Sequence, residues 1–252
     1  MRAQAGHRSL LATAALTYVA SAAVTVTWCG SMQSMPGMPM PGGWTMSMAF
    51  MRMPGQGWPG TAATFLGMWL AMMIPMMLPA ILPTLLGERR TGRLTVAFPL
   101  AYFAAWLLTG ALLFPAGALL AGLAMRHADV ARLAPYGAGL VLVVAGALQS
   151  GTWKVRALAS CRVAGGCCAV NDQSSAWRAG YALGWRCVRC CAPWTAVLIV
   201  LGVMDLAAMA WVTVAITLER LLPRAERIAR LAGVAMIVAG VLLLLRAREW
   251  LS

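Results

Sequence analysis

The sequence predicts an all-α fold, a polytopic membrane bundle of about six transmembrane helices, and three observations carry that expectation. Hydrophobic residues make up 61% of the chain against 11% charged, with a mean hydropathy of +0.76, so a soluble fold would expose far too much apolar surface. The apolar residues are gathered in runs long enough for the roughly 20 residues that cross the hydrocarbon, at 10–28, 61–86, 94–125, 135–153, 193–218 and 228–245. Most basic residues fall in the short stretches between those runs.

Taken in order, residues 1–29 read as an N-terminal transmembrane helix. The basic start and the small residues Ser21, Ala22 and Ala23 also suit a cleavable signal peptide, but the apolar run continues to Trp28 without a clear cleavage site, which favours an uncleaved span. Residues 30–60 form a Met/Pro/Gly-rich extracytoplasmic loop, where Pro36, Pro39, Pro41, Pro54 and Pro59, with Gly37, Gly42, Gly43, Gly55, Gly57 and Gly60, oppose regular structure. Only residues 44–53 suit a short surface helix, with Trp44 and Trp58 as interfacial anchors. Residues 61–252 make a five-helix membrane domain. Its second span, counted from the N-terminus, carries Pro75, Pro79 and Pro83 at every fourth position, which should bend it and free carbonyls along one face. The third is longer than a span needs and contains Pro99 and Pro115. Residues 154–193 form a Cys-rich loop ahead of the fifth span, and 228–245 complete the bundle.

Thirteen of the eighteen methionines lie between Met32 and Met77, more thioether than packing requires. Thioethers carry no proton to lose and suit Cu(I), so Met32, Met35, Met38 and Met40 in the loop, and Met72, Met73 and Met76 on the second span, are candidate ligands; core packing is the alternative. Six of the seven cysteines cluster at Cys161, Cys167, Cys168, Cys187, Cys190 and Cys191. Cys187, Cys190 and Cys191 share one side of a helix, and Arg186 and Arg189 favour their thiolates. On the cytoplasmic side such thiols stay reduced, so Cys161, Cys187, Cys190 and Cys191 point to metal ligation. Copper fits better than zinc, which prefers two C-x-x-C pairs where this chain has one. Asp205 sits near the middle of the expected fifth span, where a carboxyl needs a partner, a proton path or an ion. Glu219 is expected to pair with an interfacial arginine.

The formal charge of +13 does not indicate nucleic acid, because the basic residues are scattered and accompany no recognition motif. With the N-terminus inside, 13 basic residues are cytoplasmic, Lys154 among them, and seven lie outside, Arg220 among them. This orientation places the methionine-rich loop outside and the cysteines inside a bacterial inner membrane. The expected partners are the lipid bilayer, a metal ion and a periplasmic or membrane protein.

Several short motifs share an order that resembles a known family. They are Trp69-x-Ala71-Met72-Met73-x-Pro75, Tyr102-x-x-x-Trp106, the stretch from Gln149 to Cys161 with Lys154, Cys187-x-x-Cys190-Cys191, Gly202-Val203-Met204 and Glu219-Arg220. Together, over residues 67–246, they resemble a bacterial family of predicted metal-binding integral membrane proteins catalogued as a domain of unknown function. The resemblance implies metal binding and no further activity. This chain has Ala157 where the family pattern has a cysteine, and Asp205 where it has asparagine.

The expected function is Cu(I) capture, transfer or transport, with copper captured or released by the outer methionines and handed between the second span and the thiols, in a direction the sequence leaves open. No nucleotide-binding or phosphorylation motif points to pumping. A membrane thiol oxidoreductase using Cys187 and Cys190, or a structural subunit whose methionines only pack, are the alternatives.

Overall fold

The computed structural model describes residues 2–33, 37–46, 50–52, 55–87, 93–163, 172–222 and 225–249. Among these residues are eight helices: α1 (Arg2–Gln33), α2 (Trp58–Gly87), α3 (Arg93–Arg126), α4 (Ala128–Ser150), α5 (Thr152–Val163), α6 (Gln173–Leu201), α7 (Leu206–Leu221) and α8 (Ala225–Glu249). Six of them, α1, α2, α3, α4, α6 and α8, are long and apolar enough to cross a membrane, so the chain is an all-α, multi-pass membrane protein as its composition predicts. Polar residues in α1 are accommodated locally: the hydroxyls of Thr13, Thr17, Ser21 and Thr25 each donate to the carbonyl four residues back, at 2.7 to 2.9 Å.

The fifth span is not where hydropathy places it. Helix α6 begins twenty residues before Pro193, runs through it and stops at Leu201. Gly202 then takes φ +113°, a conformation open to glycine, and its N–H bonds the Leu198 carbonyl at 3.0 Å. Asp205 caps α7, its carboxylate accepting from the Ala208 N–H at 3.0 Å. The expected Cys-rich loop is therefore mainly helix: α5 and most of α6 fall within residues 154–193, and residues 164–171 lie outside the described structure.

The outer segment also differs from expectation. In place of a structureless loop with a surface helix, Met38–Met40 (β1) and Trp44–Met46 (β2) pair antiparallel, with Met38 opposite Met46. Gly42 and Gly43 make the turn at positive φ. The hairpin lies against the α3–α4 corner, burying Met40 and Met46 on Ala121, Ala124 and Ala131, while the Trp44 indole N–H donates to the Ala131 carbonyl at 2.8 Å. Trp44 is thus a tertiary hydrogen-bond donor here. Trp58 is exposed, with the Arg52 guanidinium 5.6 Å from its ring centre.

Glycine sets the two closest helix contacts. In α4 and α8, Gly139 faces Gly240 and Gly146 faces Gly233, so the helices run antiparallel with backbones in contact; a Cβ on Gly146 would lie 2.5 Å from the Gly233 carbonyl oxygen. In α3 and α6 the pairs advance in step, Phe98 with Gly180 and Tyr102 with Gly184, so these helices run parallel. That second contact positions the site.

Asp172 starts α6 with a reciprocal cap: its side chain accepts from the Ser175 N–H at 3.1 Å, and Ser175 Oγ accepts from the Asp172 N–H at 3.2 Å. Hydrogen bonds from Ser174 and Ser175 pull its pKa down to about 2. A depressed carboxylate pKa adds stability above the ordinary range that disappears as pH falls through the folded value. Asp172→Ala is therefore expected to melt below wild type at about pH 5 and to converge with it near pH 2. Thermal melts of both proteins in detergent, followed by circular dichroism, check this; a constant gap across that range would remove the capping carboxylate as its cause.

Candidate metal centre

Four helices bring sulfur and charge to one buried point. Cys187 from α6 is fully buried, and three groups converge on its Sγ: the Tyr102 hydroxyl of α3 donates at 2.9 Å, Arg220 Nη2 of α7 donates at 2.8 Å, and Met77 Sδ of α2 stands 3.8 Å away. Cys191 Sγ, one turn along α6, is 4.0 Å from Cys187 Sγ and 3.5 Å from Arg220 Nη2. Cys161 on α5 approaches from the edge, 3.9 Å from the same nitrogen.

Beside the sulfurs lies a buried ion pair. Lys154 Nζ on α5 and Glu219 Oε2 on α7 are 2.8 Å apart, with only 1% and 2% of the side chains exposed. Lys154 also donates to the Cys190 carbonyl at 2.8 Å, while Glu219 Oε1 accepts from Trp194 Nε1 at 3.0 Å and from Gln149 Nε2. Charges this deep persist only when neighbours satisfy them. The network ties α4, α5, α6 and α7 together and holds Arg220, next to Glu219, against the thiols.

The expected ligands separate into two groups. Met72, Met73 and Met76 are buried in the main core with Cys187 and Cys191, and Met68 and Met77 extend the same buried column along α2. Cys161, Cys187 and Cys191 meet at Arg220, and Cys190 is buried against Leu158 and Ala225. The rest lie elsewhere. Met32 is half-buried on the α1 side of the core, Met38 is exposed on β1, and Met40 is buried under the hairpin. Met35, Cys167 and Cys168 fall outside the described residues. Asp205 is an exposed helix cap, away from the mid-span position that prompted its choice, because the chain breaks there. Among the described residues, no three His, Cys, Asp or Glu side chains are grouped to hold a metal ion. The Met77 thioether adds a third sulfur to the close pair of Cys187 and Cys191.

Residue chemistry alone passes over Tyr102, Gln149, Lys154, Trp194 and Arg220, and assigns Glu219 to the interface. One signal was present: Tyr102, Gln149, Lys154, the cysteines and Glu219-Arg220 all belong to the motifs of the family resemblance, and the structure gathers them at one centre. Trp69 and Trp106, also motif residues, join α2 to α3, the Trp69 indole N–H donating to the Trp106 carbonyl at 2.9 Å. The structure also sets Lys154 and Arg220 in one centre, whereas the basic-residue tally puts them on opposite sides of the membrane.

Neither a curated protein nor a solved structure matches the chain. Residues 66–243, well over half its length and containing every group of the buried centre, match the family PpoB2, described as a copper chaperone. The match gives the metal expected from the sulfur chemistry, and it carries a different name from the uncharacterised family that the motifs resemble. The chain belongs to the PpoB2 copper chaperone family.

Proposed function

We propose that the protein binds Cu(I) within a bacterial inner membrane and passes it along α2 between the outer methionines and the thiols of α6. One observation supports the reading above others: the buried thioethers Met68, Met72, Met73, Met76 and Met77 form a continuous core with Cys187 and Cys191, and the column ends 3.8 Å from a thiol. Soft sulfur without competing oxygen suits the cuprous ion, which needs few ligands and exchanges between thioethers readily. The nine residue steps from Met68 to Met77 span about 13 Å of helix, so successive donors lie about a turn or less apart. Met32 and exposed Met38 supply the outer capture, and copper is the cargo. The direction of passage follows from whichever partner loads or unloads it.

The test is an anaerobic competition titration against a Cu(I) chelator in detergent. The double variant Cys187→Ser/Cys191→Ser is expected to lose the tightest site, its affinity falling by more than about 100-fold, beyond what outer-shell changes cost. Met72→Leu/Met76→Leu, which keeps apolar volume, should leave that affinity in place and slow its loading. Wild-type stoichiometry in the cysteine variant, with unchanged circular dichroism, would overturn the reading.

A further inference from the structure

Arg220 is the unexplained member of the centre. Its Nη2 lies 2.8 Å from Cys187 Sγ and 3.5 Å from Cys191 Sγ, to one side of two sulfurs only 4.0 Å apart. Metal–thiolate bonds of about 2.3 Å allow one ion to bridge sulfurs at that separation. Met77 Sδ stands on the same sulfur, and Tyr102 holds it from α3. The guanidinium therefore stands beside a seat that has the donors and size for a soft ion.

We propose that Met77, Cys187 and Cys191 form a three-sulfur Cu(I) site for which Arg220 is the resident counter-cation, and that Arg220 selects a monovalent ion over divalent ones. The proposal deepens the copper reading and rests on it. Its argument is a charge count in a place where imbalance is costly. Lys154 and Glu219 cancel each other at 2.8 Å. One Cu(I) with two thiolates carries a single negative charge, which Arg220 neutralises from its existing position on the edge of the sulfurs. Binding forms two metal–thiolate bonds and a thioether contact, and any S–H protons leave to solvent. A divalent ion on the same two thiolates would be neutral and would leave the guanidinium uncompensated in a buried site. The thioether acts in the same direction, since Met77 contributes to a soft ion and little to zinc.

The experiment measures Cu(I) and Zn(II) affinities by chelator competition, anaerobically, on the full chain in detergent, for wild type, Arg220→Gln, Arg220→Lys and Met77→Leu. Arg220→Gln should narrow the preference for Cu(I) over Zn(II) by at least about tenfold, chiefly by tightening zinc, because an uncompensated buried charge costs several times that. Arg220→Lys keeps the charge and should retain the preference to within about threefold of wild type. Met77→Leu should weaken Cu(I) by about tenfold or more and leave zinc unchanged. An unchanged Cu(I)/Zn(II) ratio in Arg220→Gln would overturn the proposal while leaving the copper reading in place. Should Arg220→Gln fail to fold, equal losses of both metals in Met77→Leu would overturn it instead. Loss of no Cu(I) site in the Cys187→Ser/Cys191→Ser control would refute the underlying reading itself.

Discussion

Lys154→Met is expected to destabilise the protein by about 3–5 kcal/mol, the usual cost of removing one partner from a buried ion pair. Lys154 and Glu219 are almost completely enclosed, and the lysine also donates to the Cys190 carbonyl, so its loss leaves the Glu219 carboxylate, still bonded by Trp194 and Gln149, without its counter-charge. The companion Lys154→Met/Glu219→Leu should recover most of that loss, because an apolar pair of similar volume has no charge to strand. Denaturant unfolding in mixed micelles across the four members of the cycle measures the coupling directly. A single variant as stable as wild type would mean that the pair is solvated. The double variant is nevertheless expected to lose part of its preference for Cu(I) over Zn(II), since Glu219 orders the end of α7 that carries Arg220.

Gly180→Val should be the most damaging single change in the membrane core. Its Cβ would run into the Phe98 carbonyl oxygen, a backbone atom that cannot swing aside, so α6 must move off α3. Gly184→Ala is the milder form, with its Cβ 2.6 Å from the Tyr102 carbonyl and an expected cost of about 1–3 kcal/mol from overpacking. Both should loosen the Tyr102–Cys187 hydrogen bond and weaken Cu(I) retention along with stability. Gly137→Ala is the control: nothing lies within 4 Å of its Cβ, and alanine is the better helix former by about 1 kcal/mol. Equal stability for Gly180→Val and Gly137→Ala would show that the α3–α6 contact is not close-packed in the membrane.

Hydropathy revealed the bundle because burial in lipid is a local property of about 20 consecutive residues. It misplaced α6 because that helix has the lowest mean hydropathy of the six, a pattern tolerated where much of the surface faces protein. Arg186, Cys187, Arg189, Cys190 and Cys191, although legible as one side of a helix, were placed ahead of the span for that reason. The chemistry of the site was half legible. Cysteine and methionine announce soft metals by composition, so Cys187, Cys191 and the α2 thioethers stood out. Lys154, Glu219 and Arg220 did not, because an isolated charge near an apolar run resembles an interfacial charge until its partner, distant in sequence, is placed beside it. Met40, chosen for its thioether, is folded by the Gly42–Gly43 turn into a small apolar cluster with Ala131, a placement that no local pattern announces.

The ion pair spans α5 and α7, and this ordering bears on how the protein is made. Synthesis proceeds at about 5–20 residues per second, so Glu219 emerges some 65 residues and roughly 3–13 s after Lys154. Throughout that interval α5 must wait with an unmatched ammonium, as must the thiols of α6, which precede Arg220. The first helices can therefore enter the bilayer as they appear, whereas α5 and the lower part of α6 can seat only when α7 arrives with both charges on adjacent residues. Truncation before Leu206 should leave these segments accessible to protease or thiol reagent in nascent-chain complexes, and extension past Leu221 should close them in one step.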